Sequence, residues 1–242
     1  MRVFHLLLPR LAHRNSAAIV LALAALAVTL PVRAEFSFVA IGDTAYNGAR
    51  DYPLYEQLID RINSRAPEFT IHVGDLWGAG SCGDEEMDRA AEFFARYGHP
   101  LVYTPGDNEW TDCWGEGLGR FDPLERLAEL RTRFFSIADS LGKTPMPLVR
   151  QADLVKDDSE AKALVENARW EHERVLFMTV HVPGSQNGAD HSRLDLMQEF
   201  MARNQAIVAW INDGFRLAIQ QELPAVVIAL HAELFSSNQH RR

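Results

Sequence analysis

Three Gly-Asp pairs, each directly after a short apolar run, constrain the fold of this chain more than any other feature. The pairs lie at equal intervals and are Gly42-Asp43, Gly74-Asp75 and Gly106-Asp107. Each interval has the length of a strand–helix–strand unit, and parallel strands joined in this way end at the same edge of a sheet. Open α/β sheets build their sites at that edge. The sequence therefore predicts a parallel sheet with three carboxylates at its carboxyl edge.

Three carboxylates at one sheet edge repel one another. At an effective dielectric constant of ~20, two unit charges ~4 Å apart cost ~4 kcal/mol, so such a fold needs a cation or must keep some groups protonated. A single Gly-Asp pair would be ordinary turn chemistry, because both residues favour the bend after a strand. Three pairs in register favour a binding site instead, with Asp43, Asp75 and Asp107 as its acidic members.

Two histidines end later strand-like runs. His181 follows the apolar run 175–180, and His231 follows the run 225–230. A lone histidine after a strand is more often a hydrogen-bonded core residue than a ligand. Two histidines that join three aspartates at equivalent strand ends favour a divalent-metal centre, because Asp and His converging from loops are typical ligands of such ions.

The remaining elements follow from periodicity. Apolar runs predict strands at 36–41, 69–73, 101–105, 175–180 and 225–230. Helical spacing predicts helices from Pro53 onward and over 84–97, 124–141 and 193–221. The stretch 143–169 is mixed and charged, which indicates a surface crossing with a short helix over 160–168.

The order of these motifs resembles that of the calcineurin-like metallophosphoesterases. That family carries Gly-Asp, a second Gly-Asp, Pro-Gly-Asn-His-Glu/Asp, a His and Gly-His-x-His. The matching stretches here are 41–43, 73–76, 105–109, 180–183 and 230–233. The resemblance implies an α/β fold with a β-sandwich core flanked by helices in four layers. Because the chain stops soon after the last motif, we expect a shortened second sheet.

The resemblance also implies a hydrolase that uses two divalent cations, with Asp75 bridging them. One cation would be completed by Asp43, Glu233 and Tyr46, and the other by Asp107 or Asn108 with His181 and His231. A metal-bridging hydroxide would then attack the phosphorus of a phosphate mono- or diester. Such a phosphatase would act on a small phosphorylated substrate.

Several positions depart from the family pattern. Ala45 stands where a histidine is usual, and Tyr46 beside it is a substitute ligand. A gapless alignment puts Asp107 at the metal-binding position and Asn108 at the histidine that assists the leaving group, whereas a one-residue slip makes Asn108 the ligand. We assign catalytic roles to Asn108, as a donor to a phosphoryl oxygen, and to Glu109, which would orient ligands or water.

Glu233 replaces the second histidine of the last motif, which makes the site rich in oxygen. Hard oxygen ligands favour Mn²⁺, Mg²⁺ or iron over Zn²⁺. The same departures leave a second function open, namely a non-catalytic member of the fold that binds a metal or a phosphorylated ligand without turnover.

The first 34 residues have the pattern of a signal peptide. Arg2, Arg10 and Arg14 form a basic start, 17–30 is apolar and uncharged, and 32–34 fits a small-residue cleavage site. We therefore expect a phosphoesterase domain over 35–242 that is secreted or periplasmic. An uncleaved anchor or a membrane-tethered scaffold is the alternative, although the apolar run is shorter than the ~20 residues that span a bilayer.

The charge of the chain excludes one class of partner. The formal net charge is −9, and residues 1–34 contain four arginines and no acidic residue, so the remaining domain is more acidic still. Basic patches provide most of the affinity for nucleic acids, so we expect no nucleic-acid binding. Small phosphorylated substrates remain compatible, because bound metals reverse the local charge.

The two cysteines, Cys82 and Cys113, follow the second and third Gly-Asp pairs within a few residues. Both would lie in loops that leave adjacent strands at the site edge, and an exported protein can keep a disulfide. We predict a Cys82–Cys113 disulfide that restrains these two loops, with two free thiols as the alternative.

Overall fold

The computed structural model describes residues 35–78, 82–155 and 160–234 of the 242-residue chain. The predicted signal peptide, residues 1–34, lies outside the described residues. Within the described part of the chain, none of the helices combines the length and the hydrophobicity that crossing a bilayer requires. All elements below belong to one compact unit that begins at Phe36.

The first sheet is the predicted parallel one. Its strands are β1 (Val39–Ile41), β2 (Thr70–His72) and β3 (Leu101–Tyr103), in the order β1-β2-β3. Ile41 is paired with His72, and His72 with Tyr103. The strands therefore end in register, and the three Gly-Asp loops leave from one edge.

Three helices cover one face of this sheet. They are α1 (Tyr52–Arg65), α2 (Asp84–Phe94) and α3 (Pro123–Phe134). Asp122 caps α3 by accepting hydrogen bonds from the backbone N–H groups of Leu124 and Glu125. Apolar side chains of the helices pack against the sheet, and this core includes Ile59, Met87, Phe94, Leu130, Leu101 and Tyr103.

The second sheet is mixed. It contains β4 (Val149–Arg150), β5 (Ala168–His172), β6 (Val175–Thr179) and β7 (Ala225–Ala229), in that order. The first two pairings are antiparallel, and β6 pairs with β7 in parallel. A parallel pair needs a long crossover, which α5 (Leu194–Gln220) supplies; the four-residue helix α4 (Gln151–Leu154) follows β4.

Alternating side chains of β6 show how the sheets are layered. Phe177 packs with Phe69 and Trp170 in the core that joins the two sheets, with ring centroids 4.9 Å and 5.3 Å away. Leu176 and Met178 point the other way, into a core shared with α5. Helices thus cover the outer face of each sheet. A mixed α/β fold with two sheets is confirmed; its assignment as calcineurin-like stays a prediction.

The predictions for 124–169 were partly wrong. Helix α3 ends at Phe134, and the following segment returns to the first sheet through a bridge between Leu101 and Leu141. The expected surface stretch contains β4 and α4, and the expected helix over 160–168 is a 3-10 turn, Glu160–Ala163, followed by β5. This region is more buried than its charge suggests, because polar groups such as Glu166 find partners inside.

Candidate metal centre

Three predicted ligands converge at the carboxyl edge of the first sheet. Asp75 follows β2, Asp107 follows β3, and His231 follows β7 of the second sheet. Each offers one ligand atom, and these atoms all lie within 4.8 Å of one another. The Nε2 atom of His231 is 3.5 Å from Oδ1 of Asp75 and 3.5 Å from Oδ1 of Asp107.

Two glycines allow the aspartate loops to approach this closely. Gly74 has a φ of +97°, and a Cβ atom there would lie 2.0 Å from the backbone nitrogen of Gly106. A Cβ atom at Gly106 would lie 2.1 Å from Oδ1 of Asp75. Side chains at these positions would force the loops apart, so each Gly-Asp pair is needed as a unit.

The backbone of Val73 orients the imidazole ring of His231 on the side away from the two carboxylates. Its Nδ1 atom lies 2.9 Å from the carbonyl oxygen of Val73. A carbonyl oxygen only accepts hydrogen bonds, so Nδ1 carries the proton and donates it. In the neutral ring the lone pair is then on Nε2, which faces the two carboxylates. Metal-binding histidines are commonly held in this way.

The electrostatics of the group favour a cation. Burial, with the charge of Glu109, raises the pKa of Asp75 to about 8. Burial opposes the charged form of His231, but Asp107 and Asp75 outweigh it and raise the pKa of His231 to about 9. Burial also opposes ionisation of Asp107, yet hydrogen bonds with His231 and Ser185 lower its pKa to about 2. The residues therefore fit a divalent cation, which would take the place of the proton on Nε2.

Asn108 holds Asp75 and is not itself in the group of three. Its amide nitrogen donates to Oδ2 of Asp75 at 3.1 Å and to the carbonyl oxygen of Trp77 at 2.8 Å, and it lies 3.1 Å from the hydroxyl of Tyr46. That hydroxyl also lies 3.4 Å from Oδ2 of Asp75. Of the two candidates left open by the sequence, Asp107 has its carboxylate 3.5 Å from Nε2 of His231, whereas Asn108 reaches Asp75 through its amide nitrogen.

Glu109 lies behind the site. Its side chain is fully buried, and its carboxylate accepts hydrogen bonds from the backbone N–H groups of Gly106, at 2.7 Å, and Leu76. Burial raises the pKa of Glu109 to about 7. Because Leu76 follows one ligand and Gly106 precedes the other, Glu109 fixes the two loops relative to each other.

Besides Tyr46 and Asn108, three more of the predicted ligands lie outside the group. Asp43 is exposed, although its backbone N–H bonds to the carbonyl of Gly74 at 3.0 Å. His181 is fully buried, with Nδ1 2.6 Å from Oε1 of Glu166, and its Nε2 has no hydrogen-bond partner among the described residues. Glu233 lines the pocket next to the group without joining it.

A pocket of about 1170 Å³ opens beside the three ligands. Its wall combines the metal-ligand candidates with aromatic side chains and the start of α5. Ser185, a residue the sequence did not single out, donates to Oδ2 of Asp107 at 2.7 Å and also lines the pocket. The sequence feature that could have indicated a role for Ser185 is its place in the turn-rich loop after His181.

Comparison with models of protein families finds no match, and a search of curated proteins finds no significant relative. The residues of the site therefore have to indicate its chemistry by themselves.

The predicted disulfide is confirmed. Cys82 and Cys113 are bonded, with their Cα atoms 5.6 Å apart, and both are fully buried. Their sulfur atoms lie 3.3 Å and 3.5 Å from the carbonyl oxygen of Asn108. The bridge thus restrains the loop that holds Asp75. A disulfide is typical of proteins that mature in an oxidising compartment, which agrees with the predicted export.

The pKa shifts predict how stability responds to pH and metal. The folded protein raises the pKa of Asp75 to about 8 and that of Glu109 to about 7. Ionising these two carboxyl groups is therefore harder in the folded than in the unfolded chain, so the metal-free protein loses stability as the pH rises from their ordinary pKa values to the raised ones. The raised pKa of His231 adds a stabilising contribution that is complete below its ordinary value and is lost as pH rises through about 9. We expect the melting temperature in chelator to fall between pH 7 and pH 8.

A bound divalent cation keeps the carboxylates charged and the imidazole neutral, so it should offset that loss. At ~100 times its Kd it stabilises by ~2.7 kcal/mol, or ~5–10 °C for a domain of this size. Thermal melts with Mn²⁺ or chelator at pH 5.5, 7 and 8 measure both effects. A flat profile between pH 7 and pH 8 in chelator, or no response to Mn²⁺, would contradict the site.

Proposed function

We propose that the protein is an exported, metal-dependent phosphoesterase and a divergent member of the calcineurin-like metallophosphoesterases. The observation that carries this proposal is the convergence of Asp75, Asp107 and His231 beside a large pocket. Two carboxylates and an imidazole are typical ligands of catalytic metal ions, and such ions recur in enzymes that cleave phosphate esters.

The fold supports the family assignment. Two sheets pack face to face, with helices on both outer faces, and the three ligands lie in loops that follow strands of both sheets. These ligands are the motif positions on which the resemblance depends, in the order that the family has them.

Some residues of the site would bind the cation directly, and others keep those residues in position. Asp75, Asp107 and His231 would hold the cation, which when bound supplies Lewis-acid stabilisation of charge developing on phosphoryl oxygens. Ser185 keeps Asp107 in place, and Asn108 does the same for Asp75.

The hydroxyl of Tyr46 lies 3.4 Å from Oδ2 of Asp75, and Tyr46 lines the pocket. Burial raises the pKa of Tyr46, so its hydroxyl stays protonated at neutral pH. The amide nitrogen of Asn108 is already close to three protein oxygen atoms. We therefore expect Tyr46, and not Asn108, to donate a hydrogen bond to a bound ester, and we expect esters with good leaving groups to react fastest.

The oxygen-rich group favours Mn²⁺, Mg²⁺ or iron over Zn²⁺. A second cation, as the resemblance implies, would need Asp43, Glu233 or His181 as further ligands, and these lie outside the group of three. That observation favours a second candidate function, a protein that binds one cation or a phosphorylated ligand without turnover.

The deciding experiment strips the purified protein with chelator and returns Mn²⁺. Hydrolysis of p-nitrophenyl phosphate and bis(p-nitrophenyl) phosphate should be absent in chelator and restored by Mn²⁺, while elemental analysis counts the bound ions. Retention of an ion with no hydrolysis of either ester would support the binding protein instead. Failure to retain any ion would overturn both the metal-dependent enzyme and the cation-binding protein.

A further inference from the structure

The wall of the pocket carries an unusual balance of charge. Five of its residues are acidic and two are histidines, whereas no lysine or arginine of the described chain lines it. The full chain contains 24 lysines and arginines, so basic residues are not scarce overall. The acidic residues of the wall are Asp75, Asp107, Asp112, Asp190 and Glu233.

A metal ion accounts for only part of this charge. One divalent cation balances Asp75 and Asp107, which leaves the charges of Asp112 and Asp190 to be accounted for. Among the ion pairs of the described residues, none involves Asp112 or Asp190. Asp112 accepts from the hydroxyl of Thr111 at 3.3 Å, and Asp190 accepts from the backbone N–H and hydroxyl of Ser192 at 2.8 Å and 2.7 Å. These hydrogen-bond partners are neutral. The bonds from Ser192, with the nearby charges of Arg193 and His191, lower the pKa of Asp190, and Arg193 itself forms ion pairs with Asp122 and Asp195.

Aromatic side chains lie in the same wall. Trp114 is 67% exposed and Tyr46 is 40% exposed, and both line the pocket. Aromatic faces and carboxylates together form the usual recognition chemistry for ammonium groups. Trp110 also lines the pocket, and its indole N–H is buried without a hydrogen-bond partner in the described structure.

We propose that the ligand is a phosphate ester whose alcohol carries a positively charged amine or quaternary ammonium group. The phosphate rests on the function proposed above, and the positive group is the new inference. A phosphate brings further negative charge into a pocket that has no basic side chain in its described wall, and an ammonium group on the same molecule offsets it. Trp114, Asp112 and Asp190 would bind that group.

A matched pair of chromogenic diesters tests the charge alone. One carries a p-nitrophenyl group and a 2-(trimethylammonio)ethyl arm; the other has a 3,3-dimethylbutyl arm, in which carbon replaces the ammonium nitrogen. Leaving group and shape are the same. With Mn²⁺, we expect kcat/KM to be at least ~10-fold higher for the cationic diester, because desolvated cation–π and carboxylate contacts act together.

Variants of the pocket wall identify the side chains that cause the preference for the cationic diester. Asp190→Asn and Trp114→Ala should each lower the ratio of the two kcat/KM values ~3-fold or more. Asp60→Asn is the control, since its side chain is 67% exposed on α1 and does not line the pocket; it should leave the ratio unchanged. If the parent hydrolyses both diesters equally, or prefers the neutral one, the inference is overturned while the proposed function stands.

If neither diester is hydrolysed, the inference is tested by measuring the binding of two phosphate monoesters. Calorimetry with Mn²⁺ compares 2-(trimethylammonio)ethyl phosphate with 3,3-dimethylbutyl phosphate. Tighter binding of the cationic ester, weakened by Asp190→Asn, would keep the inference and reject catalysis. Equal binding, or none, would reject the inference.

Discussion

Replacing Asp75 by asparagine is expected to lower kcat/KM of the Mn²⁺-loaded protein for an aryl phosphate by ~1000-fold or more. Asp75 lies 3.5 Å from the imidazole of His231, and its other oxygen is bonded by Asn108 and lies near Tyr46. A metal ion contributes several kcal/mol to catalysis, and each ~1.4 kcal/mol is tenfold in rate. Asparagine keeps the shape but removes the charge that would hold the cation.

The same substitution should leave the fold intact. The metal-free fold favours a neutral side chain at this position, because burial raises the pKa of Asp75 to about 8. In chelator at pH 8 the variant should therefore melt at or above the temperature of the parent, but Mn²⁺ should no longer raise it. Asp60→Asn should match the parent in rate and in its response to Mn²⁺. A rate for Asp75→Asn within tenfold of the parent would refute the proposed centre.

Loss of the disulfide should have the largest effect on stability. Cys82 and Cys113 are separated by 31 residues, and a bridge of this span contributes ~3–4 kcal/mol by restricting the unfolded chain. We expect reductant, or the double variant Cys82→Ala/Cys113→Ala, to lower the melting temperature by ~10 °C. Both sulfur atoms contact the backbone of Asn108, so Mn²⁺ affinity should fall as well.

Reductant provides the control for this prediction. It should destabilise the parent and leave the double variant unchanged, as measured by thermal melts with and without reductant. A parent that melts at the same temperature as the double variant would show that the bridge does not stabilise the fold.

The sequence predicted the sheet edge well, because strand register follows from apolar runs and their spacing. Ile41, His72 and Tyr103 end their strands in register, as equal intervals require. Register fixes where a loop begins but not where its side chain points. Asp43 therefore leaves the same edge as Asp75 and yet stays exposed outside the group.

The buried polar network of the second sheet could not be predicted. Glu166 lies in a charged stretch that is typical of a surface, but it is fully buried between Arg131, at 2.8 Å, and His181, at 2.6 Å. Burial of such a charge depends on partners far away in the chain. Ala168 and Arg169 of β5 were assigned to the predicted surface stretch, since the charged residues around them interrupt the apolar pattern on which strand prediction relies.

The bond between His231 and the carbonyl of Val73 joins residues that are 158 positions apart. A chain that is still being synthesised holds both aspartates long before it holds the histidine. Capture of an ion by all three residues would have to wait until β7 has docked beside β6, so loading would be a late step in maturation. A metal ion bound to all three residues would then indicate that both sheets have been assembled.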